Sequence, residues 1–108
     1  MKISKFLLIA FFASITISVN TFADEAKMKK GLEIFNETAG CAACHVLKAA
    51  GSVGNIGPNL DTVSMTIESV TDMVTNGLGV MPAFGEGEIL TKEEIDIVSY
   101  YVVNAAGK

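Results

Sequence analysis

Apolar side chains recur at steps of three and four residues in three stretches of the chain, and that spacing is the period of a helix with one buried stripe. The first stretch runs from about Asp24 to Thr38, where Met28, Leu32 and Phe35 share a face. Asp24 and Glu25 stand at its start, the end where the helix dipole favours anions. In the second, Ser64 or Thr66 can cap a helix on which Ile67, Val70 and Val74 lie together, and Asn76-Gly77 supplies the stop. The third opens on the capping box Thr91-Lys92-Glu93-Glu94 and continues to about Asn104, with Ile95, Val98, Tyr101 and Val102 turned inward. No segment shows the two-residue alternation of a strand, so the expected class is all-α.

The connections are long and rich in turn formers. Gly51, Ser52, Gly54, Asn55, Gly57, Pro58 and Asn59 crowd the segment between Ala49 and Leu60, and Gly77, Gly79, Pro82, Gly85 and Gly87 make a second irregular stretch. Ordered loops of this length need a function or a packing partner. Three short helices bury little apolar surface by themselves, so the expected fold is one wrapped around something that is not protein.

The first 23 residues read differently. Lys2 and Lys5 precede 14 residues, Phe6 to Val19, interrupted only by Ser and Thr, and Thr21-Phe22-Ala23 offers small residues before a cut. This is the pattern of a secretory signal peptide. As a helix the apolar run would reach only ~21 Å, short of a hydrocarbon core of ~30 Å. The expected division is a leader over residues 1–23 and one domain over 24–108, with export to the periplasm. The chain has 108 residues and a net charge of −4; cleavage after Ala23 removes two lysines and no acids, leaving −6. Half of the residues are apolar and 19% are charged, which excludes disorder by composition. The absence of arginine and of any basic cluster excludes a nucleic-acid binder.

Export changes the reading of the two cysteines, because free thiols three residues apart would oxidise outside the cytoplasm. Cys41-Ala42-Ala43-Cys44-His45 is the C-x-x-C-H pattern of c-type haem attachment. Two thiols at that spacing span the two vinyl groups of one porphyrin, and the next residue is carried beneath the ring, where an imidazole reaches the iron. His45 is the only histidine. A thioredoxin-like dithiol would need a strand-to-helix junction in a βαβ unit, and a zinc site would need further nitrogen or sulfur ligands; the sequence has neither.

With these motifs the chain closely resembles the small monohaem class I c-type cytochromes, over essentially all of residues 26–105. Cys41 to His45 carry the resemblance, together with Gly57-Pro58-Asn59-Leu60 and the run Asn76-Gly77-Leu78-Gly79-Val80-Met81-Pro82-Ala83-Phe84. It implies an all-α fold of three to four short helices and glycine-rich loops around one covalently bound haem c. It further implies that the Pro58 carbonyl accepts a hydrogen bond from the second nitrogen of His45, that Met81 is the sixth ligand, and that Phe84 lies near the exposed haem edge. Gly31, Phe35, Val98 and Tyr101 match the crossing of the first and last helices. The family's frequent tryptophan at a haem propionate is missing, and Asn55, Ser52 and Tyr100 are the polar candidates to replace it. The lysine ring of the mitochondrial type is missing as well, and the likeness is closer to bacterial periplasmic and photosynthetic cytochromes.

The function expected from this reading is a periplasmic one-electron carrier that cycles Fe(II)/Fe(III) of a His/Met-ligated haem between redox partner proteins. It is not an enzyme, since the single His is committed to iron and no general base remains. The alternative is a cytochrome subunit of a periplasmic dehydrogenase complex, fed by its catalytic chain. The acidic surface points to partners with a basic rim around their own cofactor.

Overall fold

The computed structural model describes residues 12–14 and 19–108, so most of the expected leader lies outside the described residues. Helix α1 spans Val19–Glu33, starting five residues before the expected position. No Gly or Pro interrupts the chain from Val19 to Lys30, so nothing local ends the helix at Asp24. Asp24 and Glu25 therefore sit inside the helix, and its first turn carries no acid. After Glu33 the winding loosens into a π-helical turn over Ile34–Thr38, closed by the Ala39 N–H donating to the Ile34 carbonyl at 2.9 Å. Ile34 and Phe35, successive in sequence, are both fully buried there.

Helix α2 spans Ile67–Asn76, and Thr66, not Ser64, is its cap. The Thr66 hydroxyl accepts the Ser69 N–H at 3.1 Å while the Ser69 hydroxyl accepts the Thr66 N–H at 3.0 Å. Val70 and Val74 are buried as expected; Ile67, in the first turn, remains exposed. Helix α3 spans Lys92–Ala105 behind the expected capping box of Thr91 and Glu94. It buries Ile95, Val98, Tyr101 and Val102, and also Ser99 and Ala105.

Both α1 and α2 pack on α3. Gly31 is what lets α1 approach: a Cβ there would overlap the Tyr101 Cβ and stand 2.8 Å from its Cγ and 3.2 Å from the Ile97 carbonyl oxygen. The Phe35 and Tyr101 rings meet beside it, tilted, with centroids 6.1 Å apart. The four positions that the resemblance assigned to this crossing, Gly31, Phe35, Val98 and Tyr101, are all buried.

One feature departs from an all-helical reading. Strand β1, Val46–Leu47, pairs antiparallel with β2, Ser52–Val53, in the register Val46 to Val53 and Leu47 to Ser52. Two residues are too few to show a period in sequence. The hairpin is closed by Gly51 in the left-handed region and by the buried Ser52 hydroxyl, which accepts the Leu47 N–H at 2.9 Å. That bond engages one of the three polar side chains considered for the propionates.

Candidate haem-binding site

The Cys-x-x-Cys-His segment begins where the π turn ends. Gly40 takes a left-handed conformation, φ 69°, and turns the chain into a short 3₁₀ turn over Cys41–Ala43. The turn is closed by the Cys44 and His45 N–H groups, both donating to the Cys41 carbonyl at 3.1 and 3.0 Å. Both cysteines are unpaired and partly buried. Burial pushes the Cys41 thiol up to about 11, so at neutral pH it is a thiol and a poor partner for disulfide exchange.

His45 is fixed by the segment that follows β2. Its Nδ1 lies 2.8 Å from the Pro58 carbonyl oxygen. A carbonyl only accepts, so Nδ1 carries the proton and Nε2 is left with a free lone pair. Two glycines allow this approach. A Cβ on Gly57 would lie 2.8 Å from Nδ1 and 3.0 Å from Nε2 of the His45 ring, and a Cβ on Gly54 would meet the backbone of Ala42, Ala43 and Cys44 within 2.8 Å. Neither glycine has a positive φ, so what they supply is room and not an unusual conformation.

Met81 comes from the second irregular stretch. Gly77 caps α2 with φ 67°, and the chain doubles back through Gly79 so that Leu78 and Met81 exchange backbone hydrogen bonds of 3.2 and 3.0 Å. A Cβ on Gly77 would touch the Met81 carbonyl oxygen at 2.5 Å, which shows how tightly the turn is folded on itself. Met81 is partly buried against the core, whereas Met73 is exposed on α2; Met28 on α1 and Met65 just before α2 are partly buried. Phe84, which the resemblance places near the exposed haem edge, has its side chain buried in the core, 7% exposed. Its backbone N–H donates to the Val74 carbonyl at 2.9 Å, so the phenyl group and this bond pin the chain just after Met81-Pro82 to α2.

The residues present suit a c-type haem. Two thiols, one imidazole with its Nε2 free and one thioether are the donors such a group takes, and the glycines leave the backbone bare around His45. Large apolar side chains on β2 and in the two irregular stretches, Val53, Ile56, Leu78 and Val80, are 69–86% exposed. Among the described residues no cluster of three or more His, Cys, Asp or Glu side chains offers an alternative metal site. Sequence reading did not single out Asp61 or the packing roles of Gly54 and Gly57. Asp61 lies two residues beyond Asn59 in a turn, a spacing that marks local side-chain capping but not its distant partner.

Comparison with known proteins agrees with this chemistry. The family described as cytochrome c oxidase, cbb3-type, subunit III matches residues 26–102. The cytochrome c6 of Gracilaria tenuistipitata var. liui is 37% identical over 106 residues, covering 91% of this chain and 93% of the relative. The cytochrome c6 of Porphyra purpurea is 34% identical, covering 100% of this chain and 98% of the relative. The crystal structure of the c-type cytochrome SorU from Sinorhizobium meliloti superposes with a TM-score of 0.72 at 50% identity, over 78% of this chain and 95% of that one. The chain thus belongs to the small class I c-type cytochromes, electron carriers with one covalently attached haem.

Proposed function

We propose that Cys41 and Cys44 would attach the haem by thioether bonds, that His45 and Met81 would hold its iron, and that the chain is an exported, periplasmic one-electron carrier. The observation that carries this reading is the hydrogen bond from His45 Nδ1 to the Pro58 carbonyl, which fixes the tautomer and aims Nε2 away from its anchor. When bound, the haem supplies a metal that alternates between Fe(II) and Fe(III). The protein sets the balance between those states. The Pro58 bond makes the imidazole a stronger donor, and the neutral sulfur of Met81 favours the reduced metal. If His45 and Met81 both hold the iron, no open position would be left on it for a substrate.

Partner contact would fall on the small and apolar surface around the two attachment loops. Leu78 and Val80 are 70% and 86% exposed and Ala43 is exposed, while Ala42 and Ala83 are half-buried. Acids lie outside this patch on helix faces, at Glu68, Asp72, Glu93 and Asp96 among others, and a partner with a basic rim fits that arrangement. No described helix is long and apolar enough to cross a membrane. Residues 1–23 are assigned as the export signal on their sequence pattern, with Asp24 as the mature N-terminus.

The test is direct. Protein made with a cytochrome maturation system is denatured in acidified organic solvent, and haem that extracts from the polypeptide would refute attachment through Cys41 and Cys44. The oxidised protein is expected to show a weak sulfur-to-iron charge-transfer band in the far red that Met81→Ala abolishes and Met65→Ala and Met73→Ala retain. Loss of the band in either control would move the sixth ligand. Mass spectrometry of the periplasmic fraction checks the N-terminus at Asp24, and co-purification with a larger catalytic chain would make the protein a dehydrogenase subunit.

A further inference from the structure

We propose that Asp61 is a positioning residue for His45: its carboxylate clamps the segment carrying Pro58 to the segment carrying His45 and to the end of α3. This inference rests on the reading of His45 as an iron ligand. The two segments are joined by four hydrogen bonds in parallel. The Gly57 N–H donates to the Cys44 carbonyl at 2.8 Å, His45 Nδ1 to the Pro58 carbonyl at 2.8 Å, and the Leu60 N–H to the Val46 carbonyl at 3.0 Å. The fourth, like that of His45, has its donor on the His45 segment: the Lys48 N–H donates to Asp61 Oδ2 at 2.9 Å.

Asp61 does more than complete this series. Its other oxygen, Oδ1, accepts the Gly107 N–H at 2.8 Å, from a residue 46 positions away and just past α3. Its own N–H donates to Asn59 Oδ1 at 2.9 Å, so the carboxylate is held on the turn that contains Pro58. One side chain therefore ties three segments through two separate backbone donors. Only a carboxylate offers two anionic acceptors at that reach; an amide offers one acceptor and presents a donor to the other N–H. Pro58 and Asn59 are exposed, so their own burial does not fix the Pro58 carbonyl; Leu60, half-buried against the core, is the apolar anchor of this turn. The Pro58 carbonyl stays in line with Nδ1 because its neighbours Gly57 and Leu60 are bonded on both sides, and Asp61 is the far post of that support.

The consequence for the chemistry is specific. If the clamp loosens, the Nδ1–H bond weakens, the imidazole becomes a poorer donor and the oxidised metal loses stabilisation. The experiment uses the haem-loaded protein as wild type, Asp61→Asn, Asp61→Glu and, as a charge control, Asp72→Asn, whose carboxylate accepts the Asn76 side-chain N–H on the exposed face of α2. NMR of the reduced protein follows solvent exchange of the His45 Nδ1 proton and of the Lys48 and Gly107 amides, and redox titration gives the midpoint potential.

In both Asp61 variants the Nδ1 proton and at least one of the two amides are expected to exchange about tenfold faster, the loss of one charge-assisted bond. The potential is expected to rise in Asp61→Glu as well as in Asp61→Asn. Glu keeps the charge and misplaces the oxygens by one methylene, so a rise there comes from geometry. Asp72→Asn is expected to leave Nδ1 exchange at the wild-type rate. Faster amide exchange with unchanged Nδ1 exchange and potential in both Asp61 variants would reduce Asp61 to a structural tie and overturn the proposal. Unchanged amides would overturn the clamp itself. Failure of the ligand assignment would appear separately, as a wild-type His45 ring without the shifts of an iron-bound imidazole. Should Asp61→Asn not accumulate as folded protein, Asp61→Glu decides the question by the same readings.

Discussion

Replacing Gly57 by alanine isolates the packing around His45 from every other property of that loop. Gly57 has no positive φ, so alanine can take its backbone conformation, and the stiffer unfolded chain would by itself stabilise the protein by about 0.4–1 kcal/mol. Any loss must come from the added methyl group. That Cβ would stand 2.8 Å from Nδ1 and 3.0 Å from Nε2 of the His45 ring, whereas non-bonded heavy atoms settle at about 3.5–4.0 Å. The ring or the loop must retreat by roughly 0.5–1 Å. A hydrogen bond that starts at 2.8 Å does not survive such a shift in good geometry. Overpacking of this kind costs about 1–3 kcal/mol and a lost hydrogen bond about 0.5–1.5 kcal/mol, so the net loss is expected near 2 kcal/mol after the backbone gain. For a domain of this size that lowers Tm by about 10 °C. Thermal melts of the oxidised haem protein measure it, and exchange of the His45 Nδ1 proton shows whether the ring moved. A variant that melts a few degrees higher than wild type, with Nδ1 exchange unchanged, would show that the ring does not lie against Gly57 and would refute the reasoning.

Three further outcomes are expected. Gly31→Ala gains about 1 kcal/mol of helix propensity and loses more by forcing α1 off the Tyr101 Cβ, so it is expected to lower Tm; a rise would mean that the helices do not cross there. The Gly107 and Lys48 amides, with the Lys48 charge a smaller contributor, hold the Asp61 carboxyl below the usual range. The unfolded chain then binds more protons, so the Asp61 contribution is present above about pH 4 and is lost as pH falls through its lowered value; acid titration of Asp61→Asn against wild type is expected to show a shallower decline in that window. Electron transfer with the physiological partner is expected to slow between 0.01 and 0.1 M salt, as the Debye length falls from ~30 to ~10 Å, and stopped-flow rates that stay flat or rise would exclude steering by the acidic surface.

The periodic helices and the Cys41 to His45 motif were legible in the sequence because the interactions that define them span few residues. Thr91 and Glu94 cap each other across three positions, Val70 and Val74 share a face by helical geometry, and the spacing of two cysteines and a histidine matches one porphyrin. The family pattern added Met81 and Pro58 as candidates, and the Pro58 carbonyl lies on His45 Nδ1. Tertiary structure decided the rest. Whether Ile67 or Val70 is buried depends on where α3 lies, and the period of α2 alone makes them equivalent. The switch from α to π winding at Ile34 lets two adjacent side chains enter one core, a demand set by neighbouring elements and invisible to local propensity. Ser52 reads as a loop residue until its hydroxyl is seen closing a two-residue hairpin. Asp61 reads as a turn acid, and only the folded chain brings Gly107 to it across 46 residues. Local chemistry is written in neighbouring letters; a contact between distant backbone groups exists only once the core has fixed where each segment runs.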